Sequence, residues 1–275
     1  MTLSFGARLR AAMDQRGPLC PGIDPHPALL DAWDLEDTPA GLEQFAMTAV
    51  DALAPVSSSI KPQSAFFERH GSRGIAILER VVAEARAAGA LVVLDVKRGD
   101  IGSTAQGYAD AYLDPSSPLA VDAMTVSPFL GLESVAPFVE TARVHGAGLF
   151  VLALTSNPGA GQVQHAVSGT RTVAGTVLAG LADLNAGAEP LGSFGAVVGA
   201  TIGGTDEDLA INGPLLAPGI GAQGGTPEAL AAIFGDQLRN VVPSSAREIL
   251  AAGPEVTRLR DAARRANDAF LAITG

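Results

Sequence analysis

Asp95, Lys97 and Asp100 lie close together in the run Leu91-Val-Val-Leu-Asp-Val-Lys97 and the turn after it, Arg98-Gly99-Asp100. Side chains of an extended strand alternate between its faces. Leu91, Val93, Asp95 and Lys97 therefore share one face, and Val92, Leu94 and Val96 the other. If the first face looks into a protein interior, the acid and the amine attract by about 4 kcal/mol at a separation of roughly 4 Å and an effective dielectric of about 20. A buried pair that serves structure alone seldom offsets its desolvation against hydrophobic replacements. The chemistry to expect is proton transfer or stabilisation of a charge that develops during reaction. Asp100 sits in a Gly-flanked turn that strand geometry no longer constrains. It can return to the same site or reach a neighbouring subunit, although alone it is equally a loop acid or a helix cap.

A second constellation is Pro218-Gly-Ile-Gly-Ala-Gln-Gly-Gly225, with Arg247 further on. Its glycines let the backbone approach a ligand and leave N–H groups pointing outward, as an anion requires. The fork of a guanidinium matches phosphate oxygens. Together they point to a small phosphorylated ligand.

The elements that must hold these residues are short β-branched runs alternating with longer helical stretches, the pattern of a parallel sheet with crossover helices. Eight such runs are found: Leu19–Asp24, Ser57–Lys61, Leu91–Lys97, Ala120–Ser127, Leu149–Ser156, Gly195–Thr201, Leu215–Ile220 and Asn240–Ser245. Asp24, Lys61, Asp95, Lys97, Ser127, Ser156, Thr201 and Ser245 fall at or just beyond their C-terminal ends. For Ser127, Thr201 and Ser245 a polar loop is explanation enough. A doubly wound open sheet shares the alternation. Eight strands, with polar residues at the ends of many of them, instead predict an α/β fold, a single (β/α)8 TIM barrel whose C-terminal face is the reactive one. The loops after its seventh and eighth strands are the recurrent phosphate site, which is where the glycine-rich segment and Arg247 lie.

Helices are predicted where Leu42, Phe45, Ala49, Val50 and Leu53 recur, and again at Ile75, Leu78, Val81, Val82 and Ala85 with Gly89 as terminator. Thr226-Pro227-Glu228 opens another, and one more is expected over Thr172–Ala186. The stretch Asn157–Val167 reads as a loop over the barrel mouth. No linker divides residues 1–275, so one domain is expected.

The net charge of −11 opposes nucleic-acid and acidic-membrane partners. The lone cysteine, Cys20, excludes an internal disulfide and reads as a small buried apolar residue. Arg8, Arg10, Asp14 and Arg16 interrupt the N-terminal segment, and nowhere does the chain offer the roughly 18 apolar residues of a membrane helix. A cytoplasmic protein is expected. Hydrophobic residues make up 47% and aromatics only 5%, which suits a core of Ala, Val, Leu and Ile.

Leu94-Asp95-Val96-Lys97-Arg98-Gly99-Asp100-Ile101-Gly102-Ser103-Thr104 resembles the Asp-x-Lys-x-x-Asp signature of the orotidine 5'-monophosphate decarboxylases, in the form of the longer bacterial (type 2) branch. Gly22-Ile23-Asp24-Pro25-His26 and Ile60-Lys61-Pro62-Gln63 resemble the family's first two strand ends, and the similarity spans nearly the whole chain. It implies that Asp24 binds the ribose and that Lys61, Asp95, Lys97 and Asp100 form an alternating charge array. Ser156 would read the pyrimidine amide, and Gln223 would bridge phosphate and base from a lid. Pro218 and Arg247 would lie at the substrate, Arg247 on its phosphate.

The resemblance also implies a homodimer with shared active sites, Asp100 and Thr104 entering the neighbouring subunit's site. The implied reaction converts orotidine 5'-monophosphate to UMP in de novo pyrimidine biosynthesis, with no metal and no cofactor. The carbanion left at C6 lies in the ring plane and cannot delocalise into the carbonyls, so electrostatics must stabilise it, with Lys97 doing so and donating the proton. A sugar-phosphate decarboxylase or aldolase of the same barrel group uses Mg2+, for which Lys61 is a poor ligand. A catalytically silent nucleotide-binding barrel would keep the phosphate loop and lose the charge array.

Overall fold

The computed structural model describes residues 3–274. Its central element is a closed barrel of eight parallel strands, which are β1 (Cys20–Ile23), β2 (Ser59–Pro62), β3 (Leu91–Arg98), β4 (Ala123–Val126), β5 (Gly148–Leu154), β6 (Phe194–Val198), β7 (Leu215–Pro218) and β8 (Val241–Ser245). Each strand pairs with its neighbours in sequence, and Cys20 opposite Ser244 closes β8 onto β1. All eight expected runs are strands, and the architecture is the (β/α)8 barrel.

Alternation along the strands builds two surfaces. Outward residues such as Val92, Leu94 and Val96 pack with Leu42, Phe45, Leu78, Val81 and Val82 of the helices Pro39–Leu53 and Gly71–Ala87. Inward residues form a separate interior cluster of Cys20, Val93, Ala123, Phe150, Val197, Leu216 and Val242. Cys20 is fully buried there, and burial raises its thiol pKa to about 11, so it behaves as the small core residue its sequence context suggested.

The N-terminal helix Phe5–Arg16 closes the bottom of this interior with Phe5, Leu9 and Met13. The Phe5 ring meets Phe150 edge-on, at 6.0 Å between centroids. Buried Asp122 anchors the same end by accepting hydrogen bonds from Arg8 (2.5 Å), Arg86 (3.2 Å) and the Val92 N–H (2.9 Å). With the base sealed by apolar packing and charge, the opposite end is left open.

Two connections differ from expectation. Between β6 and β7 there is no crossover helix, and residues 199–214 are irregular. Gly199, Gly203, Gly204 and a run of short polar residues offer no apolar face at helical spacing. The segment read as a simple loop after β5 contains the helical turn Gly161–Gln164, and a small hairpin pairing Val167 with Thr172 follows it. Thr172 then caps the helix Val173–Leu184 by accepting from the Gly175 N–H. No described helix is long and apolar enough to cross a membrane.

Candidate active site

The inward positions one layer above the apolar interior are polar. Asp24 follows β1, Lys61 and Gln63 come from β2 and its end, Asp95 and Lys97 from β3, Thr125 from β4 and Ser244 from β8. They line a cavity of about 210 Å3 at the C-terminal mouth, floored by Leu152, Val197 and Leu216. The same alternation that buries Val93 delivers Asp95 to the site.

Asp95 is the hub. Its Oδ1 accepts from Lys97 Nζ at 2.6 Å and from the Thr125 hydroxyl at 2.9 Å, and its Oδ2 accepts from Lys61 Nζ at 3.2 Å. Burial works against the Asp95 carboxylate, but the two ammonium groups overcome it and hold its pKa well below the usual range. Burial likewise opposes the Lys61 cation, and Asp95 and Asp24 overcome it, so its pKa is raised. The two lysines differ in access: the Lys61 side chain is 6% exposed, that of Lys97 46%. Lys61 is a locked counter-ion, whereas Lys97 faces the space a ligand would fill. Asp24 is raised by burial, which outweighs the attraction of Lys61, and its Oδ1 is buried with no hydrogen-bond partner among the described residues.

The opposite wall is the glycine-rich segment. The Gly221 N–H donates to Gly225 O and the Gly225 N–H to Gly219 O, folding the loop into a tight reversal in which Gly219, Gly221 and Gly224 all have positive φ. Left-handed backbone of this kind favours glycine. Pro218, Gly219, Ile220, Ala222 and Gln223 line the cavity, and Arg247, just beyond β8, joins them. Arg247 is exposed and its guanidinium makes no ion pair with a described residue. An unpaired fork of N–H donors beside a glycine loop has the chemistry that a phosphate requires.

Three expected site residues are not brought to this cavity within one chain. Asp100 is half-buried in the turn after β3, where it accepts from the Ile101 N–H at 2.8 Å. Thr104 is exposed on the first turn of the helix Gly102–Leu113, and Ser156 is exposed beyond β5. Ser127, Thr201 and Ser245 do not line it either; the inward neighbours Thr125 and Ser244 stand in the positions that matter. Period two, carried from β3 to β4 and β8, would have singled these out, because Ala123 and Val242 are apolar and inward. Gln63 was also missed. It lies one alternate position beyond Lys61 and bridges to Asp95.

The segment 157–167 lines none of the charged cavity. It roofs a second, mostly apolar cavity of about 510 Å3 with Phe129, Leu132, Val163 and Val177, which meets the first at Leu152. Gln164 is turned back onto the end of β5, accepting from the Thr155 N–H at 2.8 Å and donating to its hydroxyl at 2.7 Å. The second cavity is larger, but no Asp, Glu, Lys, Arg or His lines it, so acid-base chemistry belongs to the first. Among the described residues no three His, Cys, Asp or Glu side chains group as a metal site requires.

Comparison with known proteins gives a consistent result. Residues 17–266 match the model of the Orotidine 5'-phosphate decarboxylase / HUMPS family. An orotidine 5'-phosphate decarboxylase from Nocardioides sp. is 65% identical over 97% of this chain and 98% of its own length. One from Streptomyces coelicolor is 64% identical over 95% of each chain. A Streptomyces avermitilis protein of known structure is 62% identical and superposes with a TM-score of 0.96, covering 99% of this chain and 96% of its own.

Proposed function

The chain belongs to the orotidine 5'-phosphate decarboxylase family, and from that premise we propose that it converts orotidine 5'-monophosphate to UMP with Lys97 as the proton donor and without metal or cofactor. The observation that carries this reading is the Lys61–Asp95–Lys97 array, set across a 210 Å3 cavity from a glycine loop and Arg247. The phosphate binds at Gly219–Gly225 and Arg247, with Gln223 reaching towards the base, and Asp24 takes the ribose hydroxyls; Ser156, outside the cavity in this structure, meets the pyrimidine amide only if the segment after β5 moves inward on binding. The carboxylated C6 then lies over β2 and β3.

The bond from C6 to its carboxylate breaks, carbon dioxide leaves, and the electron pair remains on C6 in the ring plane. The Lys97 ammonium stabilises that pair as it forms and transfers a proton to it, giving UMP; solvent reprotonates the amine. Asp95 holds Lys97 in place beside the departing carboxylate, and Lys61 keeps Asp95 ionised. Positioning and preorganised charge supply the rate enhancement, and remote contacts to the phosphate hold the base against the array. Two of the array's groups are amines, a donor set unsuited to a hard divalent cation. Turnover, followed as loss of orotate absorbance, is therefore expected to survive exhaustive treatment with EDTA. Activity that disappears on chelation and returns only with Mg2+ would overturn the metal-free reading.

The active form in this reading is a homodimer whose sites are shared through Asp100 and Thr104. Asp100 does not line its own chain's cavity, and the turns after β3 and β4 expose Ile101 (62%), Phe129 (74%) and Leu130 (55%), an apolar surface beside that acid. Gly99 packs against Ser127 where these turns meet.

A further inference from the structure

The ladder between β3 and β4 is interrupted at the site. Leu94 pairs with Met124 and Arg98 with Val126, so Asp95, Val96 and Lys97 all stand opposite the single residue Thr125. Lys97 adopts φ 46°, a left-handed conformation that costs a non-glycine residue about 1–2 kcal/mol. The bulge withdraws the Val96 and Lys97 N–H groups from regular backbone pairing, and a buried N–H without a partner is costly. Thr125 accepts both, from Val96 N at 3.0 Å and Lys97 N at 2.9 Å, and donates its own proton to Asp95 Oδ1 at 2.9 Å.

A hydroxyl has one donor and two acceptor positions. All three are therefore used within the chain. Thr125 is 1% exposed although it lines the cavity, and it has no hydrogen-bonding capacity left for a substrate. The same Asp95 oxygen receives Lys97 Nζ, so one hydroxyl ties together the reversed backbone of Lys97 and the carboxylate that its ammonium contacts.

We propose that Thr125 is a positioning residue for the reaction, its hydroxyl holding the bulge at Lys97 and thereby aiming the Lys97 ammonium over Asp95 at the reacting carbon. The inference rests on the reading of Lys97 as proton donor.

Thr125→Val keeps the shape of the side chain and removes the hydroxyl, leaving two N–H groups and one carboxylate oxygen short of a partner. Steady-state kinetics are expected to show kcat reduced about 10- to 100-fold. KM and the affinity for UMP, set at the phosphate loop, should stay within a factor of about three. Thr125→Ser, which keeps the hydroxyl, should restore most of the lost kcat. If the valine protein does not fold, Thr125→Ala against Thr125→Ser carries the same test, since the two differ only in the hydroxyl. Lys97→Ala is measured in parallel. An inactive Lys97→Ala protein beside a fully active Thr125→Val protein overturns the inference alone. So does a Thr125→Ser protein as impaired as the valine variant, or a loss in which kcat, UMP affinity and melting temperature all fall together. A Lys97→Ala protein that still turns over at the normal rate overturns the premise about the donor instead.

Discussion

Asp24 and Asp95 flank the same lysine, yet the fold moves their proton affinities in opposite directions. Burial disfavours both carboxylates. At Asp95 it is overcome by Lys61 and Lys97, with hydrogen bonds from Lys97 and Thr125; at Asp24 it prevails over Lys61, and Oδ1 goes unpartnered. A carboxyl with a depressed folded pKa contributes stability above its unfolded pKa, and that contribution is lost as pH falls through the folded value. Asp95 is of this kind. Asp24, raised instead, contributes stability below its unfolded pKa and loses it as pH climbs through the folded value, so burying its ionised form costs the free enzyme stability. In the proposed function, a sugar hydroxyl donating to Asp24 would recover that cost, a trade of stability for binding. Asp24→Asn is therefore expected to raise Tm at neutral pH by about 2–4 °C, with the difference from the parent chain closing towards about pH 4. Affinity for the substrate should fall about 10-fold as a charge-assisted hydrogen bond is lost. Thermal melts across that pH range check the first effect and KM the second. A lower Tm at neutral pH would mean that Lys61 already compensates Asp24 in full.

At the scale of elements, the barrel was legible because alternation in strands and three- and four-residue spacing in helices are written directly in residue type. Thr226, Thr172 and Gly89 ended or began helices where their chemistry required it. Asp95 was legible for the same reason, since it continues the inward row of Leu91 and Val93. The left-handed turn at Lys97 was not, because it arises from a mismatch between β3 and β4 that neither strand carries by itself. Thr125 was hidden with it. The missing helix between β6 and β7 could have been inferred from the absence of apolar spacing in residues 199–214, had alternation not supplied a helix by analogy. The glycine loop was recognisable by composition, and the positive φ of Gly219, Gly221 and Gly224 is a local demand, but what makes Gly225 necessary is tertiary. A Cβ on Gly225 would lie 2.7 Å from Gly219 O and 2.9 Å from Ala200 Cβ, wedging the loop away from the end of β6. Gly225→Ala should therefore disturb the phosphate wall and leave the charge array across the cavity in place. Its expected signature is a KM raised about 10-fold with kcat at saturation little changed. A Gly225→Ala enzyme that binds UMP as tightly as the parent would show that the phosphate is held elsewhere.

At the scale of the whole molecule, a chain of net charge −11 must bind an anionic nucleotide, so local cations have to prevail over the global field. Within one chain the cavity gathers Lys61, Lys97 and Arg247 against Asp24 and Asp95. Asp100, the remaining acid of the proposed array, stays outside on a turn bordered by exposed Ile101 and, across the Gly99–Ser127 contact, by Phe129 and Leu130. Burying that apolar surface against a second copy about a two-fold axis would carry each Asp100 towards the other subunit's cavity, and the exchange would be reciprocal. Complementation tests this directly. Lys97→Ala and Asp100→Ala proteins, each inactive alone, are mixed under conditions that exchange subunits. In a heterodimer with shared sites, one site lacks both Lys97 and Asp100, and the other has both. Random exchange makes half the dimers mixed, so about a quarter of all sites should recover parental turnover. If mass spectrometry finds heterodimers and the mixture stays inactive, Asp100 serves its own chain's cavity, and the half-buried turn after β3 must rearrange to bring it there.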